Sequence, residues 1–192
     1  MLTLLKAGQD QVKITFDTDY QAVLNRATAL LYTLPSYYQQ VLQNQIIIDL
    51  KAAGVWAKLD VFYNFANDGS AEFATLNWKN PNLNQASLVN GMAFAGNEGF
   101  FGPTSSNAYI DTNFAPSSGV QYQQNNASRY LYLFSFFGAN ALDGLPDVAG
   151  NSMFRSNSTS QRINQGTTTP LNLVFDFTAN RGMKSIHRTS ST

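Results

Sequence analysis

The stretch LDVFYNFA, Leu59 to Ala66, sets Leu59, Val61, Tyr63 and Phe65 in alternation with Asp60, Phe62, Asn64 and Ala66. A period of two is that of a pleated strand with one face turned to a core. Upstream the period is helical instead. Thr18 is followed three residues later by Gln21, the spacing of a capping box. Val23, Leu24, Ala27, Leu30 and Leu31 then fall on one helical face, and Pro35 is expected to end that helix because its ring blocks the preceding turn. Ser36 and Gln39 repeat the capping spacing, Leu42, Ile46, Leu50 and Ala53 form a second stripe, and Gly54 stands where a left-handed helix end belongs. Residues 18–54 therefore read as a helical hairpin whose stripes must lie on something else to be stable.

Downstream, Asn67-Asp68-Gly69-Ser70 is a turn and Phe73 to Trp78 reads as a strand, broken by Asn80-Pro81-Asn82. A loop-rich stretch holding Asn90-Gly91, Gly96, Gly99, Gly102 and Pro103 leads to a short strand, Tyr109 to Thr112. Arg129 to Phe137 is the strongest strand. Tyr130, Tyr132, Phe134 and Phe136 face one way, Leu131, Leu133 and Phe137 the other, as in a central strand covered on both sides. Gly138 to Gly150 reads as a loop. Ser152 to Arg155, Arg162 to Asn164, Leu171 to Thr178 and Met183 to Arg188 read as further strands. Val12, Ile14 and Phe16 alternate with Lys13, Thr15 and Asp17, so residues 1–17 are expected as a strand or tail that pairs in a sheet of its own chain or a neighbour's. The order, two helices and then short strands, predicts a mainly β chain: an antiparallel sandwich over residues 55–192 behind a helical hairpin over 18–54.

Composition narrows the function. Charged residues make up only 12% of the chain, about half the usual share, and 12 basic residues balance 12 acidic ones. Nucleic-acid affinity needs a basic patch; the nearest approach is Arg181, Lys184, His187 and Arg188, which reads as one solvated strand face. With no cysteine there is no disulfide, zinc ribbon or thiol nucleophile. The apolar start at Met1 to Leu5 is too short for a signal peptide, and Ile46 to Ile48 is far short of a membrane span. A surface this polar and this weakly charged suits an extracellular or virion-borne protein.

Residues for catalysis are sparse. His187 is the single histidine, on a late basic strand, which argues against a Ser-His-Asp triad or a multi-histidine metal site. Glu72, Glu98, Asp111 and Asp176 show no alternating carboxylate pair of the kind glycoside hydrolysis uses, and Asp176 reads as a structural hydrogen-bonding group. The glycines of 96–102 lack a strand–loop–helix phosphate cradle. No catalytic residue, metal site or cofactor is expected. Aromatics beside amides are the remaining chemistry: Trp56, Trp78, Tyr109, Tyr122, Tyr130 and Tyr132 could stack on sugar faces. They could equally fill a core, which is the expectation for Tyr130 and Tyr132.

Three stretches carry a resemblance. The first runs from Tyr20 to Trp78: YQAVLNRATALLYTLPS, QQVLQNQIIIDLKAAGVWAKLDVFYNFAND and FATLNW. The second is GFFGPTSSNAYIDTNFAPS, Gly99 to Ser117, and the third is YQQNNASRYLYLFSF, Tyr122 to Phe136. Together they resemble concanavalin A-like (lectin/glucanase-type) virion proteins of tailed phages, including the crAss-like group. The chain departs from that pattern at Gly102-Pro103-Thr104, where relatives show Gly-Asp/Asn-Gly, and after Met183 to Thr189, where relatives continue with further strands. The resemblance implies a concanavalin-like or jelly-roll sandwich and a structural role in a tail or head fibre, or in a fibre-associated protein. It implies no enzyme. The expected partners are other virion proteins, further copies of the same chain and host-surface glycans, with no nucleic acid and no membrane insertion. The expected location is the virion, after synthesis in the bacterial host cytoplasm. A carbohydrate-binding module without a structural role is the alternative, and a glycan depolymerase is a third.

Overall fold

The structure is a computed structural model that describes residues 14–102, 108–115, 118–122, 127–133, 141–144, 153–156, 161–164, 171–173 and 182–188. The chain forms two compact units, Met1–Asn113 and Phe114–Thr192.

In the first unit the hydrophobic core lies among helices. Helix α1, Thr18–Ala29, is capped one residue earlier than expected: Asp17, in extended conformation, accepts the Asp19 amide at 2.9 Å, and Thr18 is already helical. Tyr20, Val23, Leu24 and Ala27 are buried at the expected spacing. Pro35 does not stop this helix. It ends at Ala29, where Leu31 turns left-handed (φ 59°), the Tyr32 amide donates to Ala27 at 2.9 Å and the Leu31 amide donates to Thr28 at 3.0 Å. That pair of bonds is a Schellman ending, here with leucine where glycine is usual. Leu31, expected on the apolar face, is 92% exposed.

Helix α2, Tyr37–Ala52, is capped by Ser36 as expected, but Gln39 does not reach back to close a box; it donates to Asn97 at 3.2 Å. Gly54 (φ 67°) ends α2 in a second Schellman pattern, with the Val55 amide on Leu50 and the Gly54 amide on Lys51, both 2.9 Å. Of the expected stripe only Leu50 packs against the core. The buried residues are Gln43, Asn44 and Ile47, while Leu42 and Ile46 are exposed. Hydrogen bonds decide the rotation: Gln43 accepts the Tyr20 hydroxyl at 2.7 Å and Asn44 accepts the Asp17 amide at 2.7 Å, so the amides turn inward to meet the start of α1.

Leu59 to Ala66 is not a strand. Trp56–Lys58 forms a 3₁₀ turn, and the chain then runs without a ladder partner. The buried side chain of Asn77 substitutes for a strand, its Oδ1 accepting the Phe62 amide at 3.1 Å while Trp78 N–H donates to the Phe62 carbonyl at 2.8 Å. Nor is Phe73 to Trp78 a strand: Ser70 caps a four-residue helix, α3, Ala71–Ala74, and residues 73–78 are all buried. Trp78 is the hub, its ring 5.4 Å from Tyr20, 5.7 Å from Phe62 and 6.4 Å from Phe73. Burying an indole of this size contributes roughly 4–6 kcal/mol at ~25 cal/mol per Å².

Four short strands follow. β1 (Ser87–Val89) pairs antiparallel with β4 (Tyr109–Asp111), and β2 (Ala93–Ala95) pairs with β3 (Gly99–Phe101). The expected strand at 109–112 is present. Gly99 holds φ 98°, a conformation L residues rarely adopt; a methyl group added there would lie 3.6 Å from Phe65, so conformation rather than space calls for glycine.

In the second unit β5 (Ala127–Leu133) pairs antiparallel with β10 (Gly182–Arg188), with Tyr132 opposite Met183, Tyr130 opposite Ser185 and Ser128 opposite His187. β6 (Ala141–Gly144), β7 (Met153–Ser156), β8 (Gln161–Asn164) and β9 (Leu171–Leu173) form a four-stranded antiparallel meander. The strands expected near 152–155, 162–164, 171 and 183–188 are found. The loop expected across 138–150 instead contains β6. β5 is not a covered central strand: among the described residues it has one strand partner, and Tyr130 and Tyr132 are exposed rather than core.

The expected concanavalin-like or jelly-roll sandwich is therefore corrected. Three helices and sheets of two, two, two and four strands stand in its place among the described residues. The physical reason lies in the first unit, where the Asn77 amide satisfies the extended segment and rings from helices and from irregular segments together make the core. Ile14 to Asp17 have no ladder partner within the chain, and residues 1–13 of the expected N-terminal strand or tail lie outside the described residues. Phe16 packs edge-on against Tyr20, with ring centroids 5.4 Å apart.

Candidate functional site

The densest charged cluster sits where α1 begins and α2 ends. Lys51 Nζ lies 2.6 Å from Asp17 and 2.7 Å from Asp19, and the same Asp19 carboxylate accepts Trp56 Nε1 at 2.8 Å. Lys79 Nζ donates to the Trp56 carbonyl at 2.9 Å and stands 4.6 Å from the centroid of its ring. Burial alone would raise the Asp17 carboxyl, but the hydrogen bonds from Lys51 and the Asp19 amide, with the Lys51 charge, hold it below the usual range. For Lys51, the two aspartates outweigh burial and raise the ammonium. Burial lowers Lys79. Each carboxylate is engaged with a donor of its own protein, so the cluster ties the N-terminal segment, both helices and Trp56 together; it has the form of a clamp rather than of a reaction centre.

The carboxylates of the first unit weighed for catalysis stand apart on separate elements. Glu72 is exposed in the first turn of α3, Glu98 is exposed in the β2–β3 turn, and Asp111 is exposed at the end of β4, accepting the Asn113 amide at 2.8 Å. His187 lies in β10 opposite Ser128 in the register. Asp176 lies outside the described residues, as do Phe134, Phe136 and Phe137. Among the described residues no group of three or more His, Cys, Asp or Glu could hold a metal, and no helix is long and apolar enough to cross a membrane. An open groove of about 440 Å³ beside α1 is lined by Ile14, Thr15, Phe16, Thr18, Gln21, Ala22 and Asn25, without an ionisable side chain.

The aromatics divide cleanly. Trp56 and Trp78 are core. Tyr122 meets Phe114 edge-on at 6.4 Å. Tyr109 is exposed on β4. Tyr130 and Tyr132 are 52% and 63% exposed, two residues apart on β5 and so on one side of the ribbon, with Met183, also 63% exposed, directly opposite Tyr132. Exposed Ser128 and Ser185 flank Tyr130 on the same side. Two phenol rings about 7 Å apart along a strand, bordered by hydroxyls and a thioether, can stack on flat apolar faces of a ligand and donate or accept hydrogen bonds at its rim. Alternation along Arg129 to Leu133 points to this shared side, but it gives no sign of whether that side is covered.

Sought among known protein families, curated proteins and solved structures, the chain finds no match in any of the three.

Proposed function

We propose that this chain is a non-catalytic structural component of a phage particle, in a tail or head fibre or associated with one, and that it touches host-surface glycans through the Tyr130–Tyr132 side of the β5–β10 ribbon. The observation that carries the binding part is the pair of exposed tyrosines with Met183, Ser128 and Ser185 around them. Rings bordered by neutral hydroxyls match a ligand with apolar C–H faces and many hydroxyls. The virion part rests on the three resembling stretches, Tyr20 to Trp78, Gly99 to Ser117 and Tyr122 to Phe136. A surface of low charge and balanced sign is consistent with both.

Two experiments separate the parts. Purified particles analysed by mass spectrometry should contain the chain in stoichiometric amount; its absence from intact particles removes the virion role. On a glycan array the protein should retain a defined set of polysaccharides, and the double variant Tyr130→Ala, Tyr132→Ala should lose them. Unchanged binding by that variant removes this site. A carbohydrate-binding module outside a particle is the second reading, favoured if glycan binding stands and particles lack the chain.

A further inference from the structure

Helix α2 is amphipathic the wrong way round for a helix that only covers a core. Its inward side carries Gln43 and Asn44 with Ile47. Its outward side exposes Tyr37 (56%), Tyr38 (70%), Leu42 (44%), Ile46 (38%) and Ile48 (39%). At 3.6 residues per turn, Tyr38, Leu42 and Ile46 make one strip and Tyr37, Val41 and Ile48 a second. Between them lie Gln45 and Asp49, hydrogen-bonded to each other at 2.8 Å. We propose that this outward side of α2 is the interface through which two copies of the chain associate, the two helices packing antiparallel about a two-fold axis.

Three observations favour a second copy over another partner. The first is area. Aromatic side chains offer roughly 150–250 Å² each and aliphatic ones somewhat less, so the exposed fractions amount to apolar surface on the order of 400 Å². A standard interface takes about 800 Å² per partner, a little over half of it apolar, so α2 supplies about half of that area and most of its apolar part. The second is shape. The strips begin with two tyrosines and end at exposed Ala52 and Ala53. Antiparallel packing lays the bulky end of one helix on the small end of the other, and parallel packing would set tyrosine against tyrosine. The third is charge. Asp49 is the one charged side chain between the strips, held by Gln45 and about one turn from the end of α2, so an antiparallel partner sets it opposite the first turns of the other helix and away from the second Asp49. This inference stands apart from the particle and glycan readings, since it uses neither.

The test is the mass of the intact chain in solution. Sedimentation over a range of concentrations should show a monomer–dimer equilibrium for the wild type. Leu42→Glu and Ile46→Glu, at exposed positions, should raise the dimer dissociation constant by about tenfold or more while leaving the melting temperature of the monomer unchanged. A second measurement does not depend on those variants folding. The chain has no cysteine, so Tyr38→Cys protein mixed with Ala52→Cys protein should be joined by a short bifunctional maleimide, and Tyr38→Cys alone should not. A wild type that stays monomeric at every concentration, a dimer unaffected by the glutamates, or tyrosine-end cysteines that join each other instead would overturn the proposal.

Discussion

Asn77 Oδ1 accepts the backbone amide of Phe62, fifteen residues earlier, at 3.1 Å. The same oxygen accepts the Lys79 amide at 3.1 Å, and the Asn77 Nδ2 donates to Leu83 at 3.3 Å. One buried side chain thus holds an extended segment and a turn that have no sheet to join. Asn77→Ala removes all three bonds and leaves part-buried backbone groups to find other partners, at a cost of about 1–3 kcal/mol. Urea unfolding should show the midpoint falling by that amount; a loss below about 0.5 kcal/mol would mean the amide is not what secures Phe62.

The two Schellman endings invite a paired exchange. Leu31 holds a left-handed conformation that costs an L residue about 1 kcal/mol, and being almost wholly exposed it gives up little burial when replaced. Leu31→Gly should therefore be stabilising, by up to ~1 kcal/mol after the entropy of the unfolded glycine is counted. Gly54→Ala, at φ 67° with open space around the added methyl, should lose about 1 kcal/mol from backbone strain alone. Thermal unfolding of the two variants should move in opposite directions.

Gly69 is required for space rather than for conformation. A methyl added there would come 2.7 Å from the Thr33 carbonyl oxygen and 2.8 Å from the Pro35 nitrogen, both backbone atoms. The Thr33 carbonyl also accepts the Ser70 amide at 3.0 Å, and Ser36 N–H donates to Asp68 at 2.9 Å, so the joint between the helices is sewn to this turn. Gly69→Ala should destabilise by roughly 1–3 kcal/mol, read by denaturant titration, whereas Gly91→Ala, with no neighbour in reach, should show only the strain of its positive φ.

The clamp sets both ends of the pH range. Asp17 titrates below its ordinary 3.8 in the folded chain. A lowered carboxyl stabilises the fold fully above the unfolded value and loses that contribution as pH falls through the folded one, so stability should decline below about pH 4. Lys51 is raised above 10.5, and Tyr20 and Tyr63 are raised above 10.0, chiefly by burial. Raised groups stabilise below the unfolded value and cease to do so as pH climbs, so a second decline should begin near pH 10, opposed in part by the lowered Lys79. Melting temperature against pH should form a plateau between these limits. Asp17→Ala should lower the plateau by about 1–2 kcal/mol and flatten the acid limb; an unchanged acid limb would exclude Asp17 as its source.

Local signals in the sequence are legible where a residue acts on its own backbone. Ser36 caps α2 and Gly54 ends it, as their chemistry requires. The start of α1 was misplaced by one residue because Asp17 and Thr18 are both competent caps, and only Asn44, twenty-seven residues away, settles which backbone is extended. The α2 face differs from the expectation because hydropathy ranks glutamine and asparagine as outward residues, while here the side-chain oxygens of Gln43 and Asn44 each accept from a specific donor on or beside α1. The alternation at 59–66 is real as extended chain, but alternation does not specify the partner, and Asn77 supplies it in place of a strand. Of the candidate site, Tyr130 and Tyr132 on one side of β5 were legible from their spacing. Their exposure was not, because it depends on what the rest of the chain leaves uncovered.

The way Asn44, Asn67 and Asn77 fasten their loops has a consequence for the medium in which the molecule can work. Each of these bonds joins a neutral amide to a neutral backbone group, and screening by dissolved ions acts on net charges, not on such short dipolar contacts. The Lys51 clamp, in contrast, holds two carboxylates by charge. Between dilute buffer and the ionic strength of brine, the amide-held loops should stay fastened with almost no change in hold, while the charged anchorage of the first turn of α1 should loosen.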